Sequence, residues 1–132
     1  MRVLGIVLIL CGAALLPQSA RAGDVQIKFT ELTFNGGTWY ADVTLQHEDT
    51  GWKDYADAWR LVDEKGRILA TRVLWHPHVD EQPFTRGMGG IHIPDDARVL
   101  FVEAHGKVEG WSKQRLRIDL DKPKGDDYRV RR

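Results

Sequence analysis

The side chains able to do chemistry are concentrated in one stretch, Trp75-His76-Pro77-His78-Val79-Asp80-Glu81-Gln82-Pro83-Phe84-Thr85-Arg86. Pro77 fixes its own φ at about −65° and drives His76 toward extended geometry. Residues i and i+2 of an extended chain face the same way, about 6.5 to 7 Å apart at Cα, so His76 and His78 can converge on one proton, anion or metal ion. Asp80, Glu81 and Gln82 lie between the histidines and Pro83, where they can orient a ring nitrogen. A metal centre built here would take His76 and His78 together with Met88 and His92, or with Glu81 or His47. Imidazole with thioether suits copper, and imidazole with carboxylate suits zinc. The competing account is structural. A loop that passes between two sheets has many backbone groups to satisfy, and His, Asp, Gln, Thr and Arg side chains do this without a ligand. That account is preferred, with His76, His78, Asp80, Glu81, Gln82, Phe84, Thr85 and Arg86 forming the candidate binding loop.

Catalysis finds little support. Ser112 is the one serine beyond residue 22 and has no motif around it, so Ser-His-Asp chemistry has no basis. Asp80 and Glu81 are adjacent and point to opposite faces of an extended chain, the wrong arrangement for paired carboxylates. The protein is expected not to be an enzyme. The five tryptophans offer a different chemistry. Trp39 and Trp59 sit in alternating patterns and belong to the core, whereas Trp52, Trp75 and Trp111 fall at loop positions where aromatics can serve as a platform for sugar or protein. His105 lies beside a turn and faces solvent.

The elements that must position these residues begin after a leader. Arg2, the apolar run 3–16, Pro17 and the small residues Ala20 and Ala22 read as a signal peptide spanning residues 1–22, cut before Gly23. The run falls short of the ~20 residues a bilayer requires, so no stable membrane insertion is expected after cleavage, and the protein is periplasmic or secreted. Cys11 raises a lipid anchor, but Leu10 stands where such signals want a small residue. Cys11 is also the sole cysteine, which excludes disulfides and cysteine-based zinc sites beyond the leader. Without Arg2 and Arg21 the chain carries 17 basic and 19 acidic residues, a balance that argues against nucleic acid as a partner. A monomer or weak oligomer is expected.

From Asp24 onward the dominant period is two. Val25, Ile27 and Phe29 alternate, then Leu32 and Phe34 shift the phase as a bulge would. Asn35-Gly36-Gly37 is a hairpin turn, and Trp39, Ala41, Val43 and Leu45 form one face of the return strand. Residues 47–54 read as a polar loop. Residues 54–63 fit either a helix capped by Asp54 or a strand ending in the turn Asp63-Glu64-Lys65-Gly66; the strand is preferred because the β-branched run 67–75 needs a neighbour. Gly87-Met88-Gly89-Gly90 suggests a bulge or a close approach by another group. Residues 99–104 form a further strand and residues 111–120 a closing one. The charged segment 121–132 is expected to be a flexible tail. This gives a signal peptide at 1–22, a domain at 23–120 and a tail at 121–132.

About seven short strands in a chain of this length indicate an all-β, antiparallel sandwich. Two stretches carry a resemblance to immunoglobulin-like and fibronectin type III folds: residues 55–62 leading into the Gly66 hairpin, and Val99-Leu100-Phe101-Val102-Glu103-Ala104-His105-Gly106. The block 76–86, with Ile93-Pro94 and Ala104-His105-Gly106, resembles a group of small exported bacterial proteins of unassigned function. A weaker likeness to periplasmic copper-handling β-sandwiches implies a metal, although Gly23-Asp24 lacks the histidine such proteins carry there. The expectation is an exported, non-enzymatic binding or accessory module acting through the 76–86 loop. The alternative is a periplasmic copper or zinc binder using His76 and His78.

Overall fold

A computed structural model describes residues 23–132; the signal-peptide reading lies outside the described residues. The described chain is all-β and forms nine strands: β1 (Gln26–Asn35), β2 (Thr38–Gln46), β3 (Ala56–Asp63), β4 (Ile68–Val73), β5 (Phe84–Ile91), β6 (Val99–Gly106), β7 (Gly110–Trp111), β8 (Leu116–Asp119) and β9 (Tyr128–Arg131). One sheet has the order β5-β2-β1-β9; the other has β4-β3-β6, with β7 and β8 both pairing β6. Strands β1, β2, β5 and β9 thus make one layer of a β-sandwich, and β3, β4, β6, β7 and β8 make the other.

The two-residue alternation becomes the core directly. Trp39, Ala41, Val43 and Leu45 of β2 are buried and meet Trp59 and Leu61 of β3 and Leu100, Val102 and Ala104 of β6 in one cluster. The segment that fits a helix or a strand is a strand, because β3 has a neighbour on each side, β4 and β6. Its hairpin closes on Gly66 at φ 79°, and Asp63 Oδ1 accepts the backbone N–H groups of Lys65 and Arg67 at 2.9 and 2.8 Å. The phase shift in β1 falls earlier than its sequence pattern suggests. The irregularity lies between Ile27 and Phe29, so Thr30 and Leu32 turn inward while Phe34 is exposed.

The glycine stretch 87–90 is inside β5, with a register irregularity opposite Trp39 to Ala41. The group that approaches closely is the protein's own: a Cβ on Gly87 would collide with the Tyr40 hydroxyl and stand 2.6 Å from Asp42 Oδ1. The closing strand 111–120 is divided into β7 and β8. Between them Gln114 reaches the opposite sheet and acts as a strand neighbour, its Oε1 accepting from Ile27 N at 2.9 Å and its Nε2 donating to Ile27 O at 2.9 Å.

The segment 121–132 is not a free tail. β9 pairs in parallel with β1, Thr30 opposite Tyr128 and Thr33 opposite Arg131, and the domain runs past residue 120. Two apolar residues suffice because both point inward: Tyr128 and Val130 are 6% exposed, and β1 otherwise has an unpaired edge whose N–H and C=O groups β9 satisfies. Deleting residues 126–132 is therefore expected to lower unfolding free energy by about 3 to 5 kcal/mol, the sum for burying two such side chains, as measured by urea denaturation. A loss under about 1 kcal/mol would show that β9 is not bound in solution.

Candidate functional site

Residues 74–83 cross from β4, an edge of one sheet, to β5, an edge of the other. The histidines converge as the Pro77 geometry requires, with ring centroids 4.5 Å apart. Their surroundings differ. His76 is exposed, whereas His78 is 5% exposed and lies flat on Phe84, centroids 3.9 Å apart and planes 8° apart. Arg86 Nη2 donates to His78 Nε2 at 2.9 Å, which makes that nitrogen an acceptor and occupies its lone pair. Gln82 accepts the His47 N–H through Oε1 and donates to the His78 carbonyl through Nε2, both at 3.0 Å. Arg86 also reaches Glu81 at 3.4 Å. Thr85 Oγ1 meets Thr44 Oγ1 at 2.7 Å across the β2–β5 ladder. Of the candidate loop residues, His78, Gln82, Phe84 and Arg86 therefore bind one another and the adjoining loop, while His76, Asp80 and Glu81 face outward.

The candidate ligand set His76, His78, Met88 and His92 is not assembled. Met88 stands opposite Ala41 in the middle of β2, and Ile91 stands opposite Trp39 at the far end of that strand from Phe84. His92 follows Ile91 and lies beside the β1–β2 hairpin. A strand rises about 3.4 Å per residue, so β5 carries His92 to the opposite end of the sandwich.

A second group was not legible as a site. Asp49, in the β2–β3 loop, has a side chain with no exposed surface. Its Oδ1 accepts from Ala56 N at 2.9 Å and meets His47 Nδ1 at 2.6 Å, and its Oδ2 accepts from His78 N at 2.8 Å. This one carboxylate joins β3, the end of β2 and the crossover loop. On the other side of the His47 ring, Nε2 faces Glu109 Oε2 at 3.4 Å and Asp54 Oδ1 at 3.8 Å. The i, i+2 spacing of His47 and Asp49 carried a signal of the kind read at His76 and His78. Glu109 had none, because only the pairing of β3 with β6 brings its turn beside the β2–β3 loop.

No family model matches the chain, and no solved structure matches it. The chain is similar to a protein of Halomicrobium mukohataei named "Putative lipoprotein", 34% identical over 79 residues that make up 60% of this chain and 38% of that protein. The chain thus spans well under half the length of the relative.

Burial pushes the His78 imidazole below its ordinary range, and the Arg86 guanidinium and His76 push the same way. The unfolded chain then takes up this proton more readily than the folded one. His78 contributes stability that is fully present above the ordinary histidine pKa of about 6.5 and is lost as pH falls toward its lower folded value. His78→Gln should flatten the fall in thermal midpoint as pH drops below about 6.5; an unchanged slope would assign that fall to other groups. Asp49→Ala strands three buried donors at about 1 to 3 kcal/mol each, so a loss of about 3 kcal/mol or more is expected in urea unfolding. A loss below about 1 kcal/mol would show that the carboxylate is dispensable.

Proposed function

We propose that this chain is an exported, non-catalytic accessory module of the cell envelope, periplasmic or secreted, that binds a protein partner through the loop end of its sandwich. The observation that carries this reading is where the large apolar side chains lie on the surface. Trp52 is 63% exposed, Trp75 74%, Val79 52% and Val108 66%. They belong to the β2–β3 loop, the crossover loop and the β6–β7 turn, which meet at one end: His78 N donates to Asp49, and Lys107 N donates to Tyr55 O at 3.0 Å. Exposed tryptophans with a charged rim, here Lys53, Asp80, Glu81 and Lys107, are the composition of a contact patch. The rigid network beneath them supports the reading, since ordered loops lose little entropy on binding.

Export is supported by the leader pattern and by the similarity to a protein named as a lipoprotein, and no helix among the described residues is long and apolar enough to cross a membrane. A non-catalytic role is supported by Ser112, whose hydroxyl donates to the Gln114 carbonyl at 2.9 Å and accepts from Ala104 N at 3.3 Å inside the closing edge.

A photo-crosslinking side chain placed at Trp52 or Trp75 in the producing cell should yield adducts of one shared mass. The same group at Ile68, exposed at the opposite end of the sandwich, should yield none. Equal labelling at Ile68, or no adduct from either tryptophan position, would remove this end as the contact surface.

A further inference from the structure

We propose that His47, Asp54 and Glu109 form a binding site for a single divalent transition-metal ion of the zinc class, joining the β2–β3 loop to the β6–β7 turn.

The three ligand atoms, His47 Nε2, Asp54 Oδ1 and Glu109 Oε2, lie within 4.8 Å of one another. Each is buried and has no hydrogen-bond partner among the described residues. The His47 side chain has no exposed surface at all. Asp49 Oδ1, 2.6 Å from His47 Nδ1, is an acceptor and holds the ring proton on that nitrogen, so Nε2 turns its lone pair toward two carboxylate oxygens. Three acceptors facing a common point need a proton, a water or a cation between them. A proton on Nε2 serves poorly, because the 3.4 and 3.8 Å separations exceed the ~2.7 to 2.9 Å of a charge-assisted hydrogen bond. Bonds of about 2.0 to 2.2 Å in a tetrahedron set neighbouring metal ligands roughly 3.3 to 3.6 Å apart, a range that the 3.4 Å pair meets and the 3.8 Å pair lies just above.

The surroundings are those of a metal centre. The pairing of Asp49 with His47 is the carboxylate–histidine arrangement that fixes tautomer and ring orientation at metal ligands. Asp49 is itself held by the Ala56 and His78 N–H groups. Gly106 keeps the floor clear, since a Cβ there would come within 2.7 Å of Glu109 Oε2 and 3.8 Å of His47 Nε2. In the β2–β3 loop, Thr50 N donates to Asp54 O at 3.0 Å and Asp54 N donates to Gly51 O at 3.2 Å, turning Asp54 back toward His47. One imidazole with two carboxylates suits zinc and its neighbours, whereas calcium needs six to eight oxygens. The side chains of Asp54 and Glu109 are 19% and 16% exposed, so an ion can reach the site from solvent.

The test is zinc titration by calorimetry into the exported protein after dialysis against chelator, with Glu109→Gln and Asp54→Asn alongside. Both variants keep side-chain size and leave the Asp49 network intact. One equivalent of zinc is expected, with the thermal midpoint rising by about 10 °C at a hundredfold excess over Kd. Each variant should weaken binding at least about tenfold, and His76→Ala should leave it unchanged. No saturable uptake by the unaltered protein, undiminished affinity in both carboxylate variants, or loss of binding in His76→Ala would each overturn the proposal.

Discussion

The carboxylate of Asp49 is shut away from solvent, and the geometry of the loop end depends on how it is neutralised. A buried carboxylate is costly unless its lone pairs are filled. Here they are filled by donors from three places in the chain: His47 at the end of β2, Ala56 at the start of β3 and His78 in the crossover loop. Because β2 lies in one sheet and β3 in the other, the group ties the two layers together where no backbone ladder can. The conformation of the crossover loop follows. With its backbone N–H held by Asp49, His78 lies on Phe84, and Arg86 and Gln82 close around it.

Two parts of the loop end then have different tasks. Within it the polar side chains are matched to one another, apart from His47 Nε2, the two carboxylate oxygens that face it and the Nδ1 of His78. On its surface Trp52, Trp75, Val79 and Val108 face solvent. The outer face of the β4-β3-β6 sheet is closed differently: Arg60 lies over Trp111, 3.7 Å from its ring centroid, and pairs with Glu103 at 3.0 Å, while Arg115 covers Phe101 at 3.9 Å. Guanidinium groups shield those aromatics, and the tryptophans of the loop end have no such cover. The contact surface proposed for the loops is also the arrangement the ladders permit, since paired strands leave little freedom to accommodate a ligand.

Much of the architecture is legible in the residues. The alternation in β2 and the turn chemistry at Asn35-Gly36-Gly37 and Gly66 are local signals, and they were sufficient to read an all-β sandwich and to favour a strand over a helix for β3. They also separate Trp39 and Trp59 from the three surface tryptophans. The segment 121–132 has a charge count that suggests solvation, yet Tyr128 and Val130 share one face and find the open edge of β1. Composition averages over both faces of a strand, and an edge that awaits a partner has no sign in the partner's own sequence.

The histidine pair of the crossover loop marks the same boundary. The sequence by itself determined that His76 and His78 lie close together, because Pro77 restricts the backbone locally. It also determined that the chain folds into two sheets around an apolar core with no cysteine after Cys11. Only the tertiary structure decided that the Nε2 lone pair of His78 goes to Arg86, that His92 belongs to the other end of β5, and that His47 meets Asp54 and Glu109. The physical reason is range. Dihedral preferences and alternation act over a few residues, whereas the burial that isolates a carboxylate and the ladder that sets Glu109 beside His47 arise between segments some sixty residues apart, once both sheets have closed.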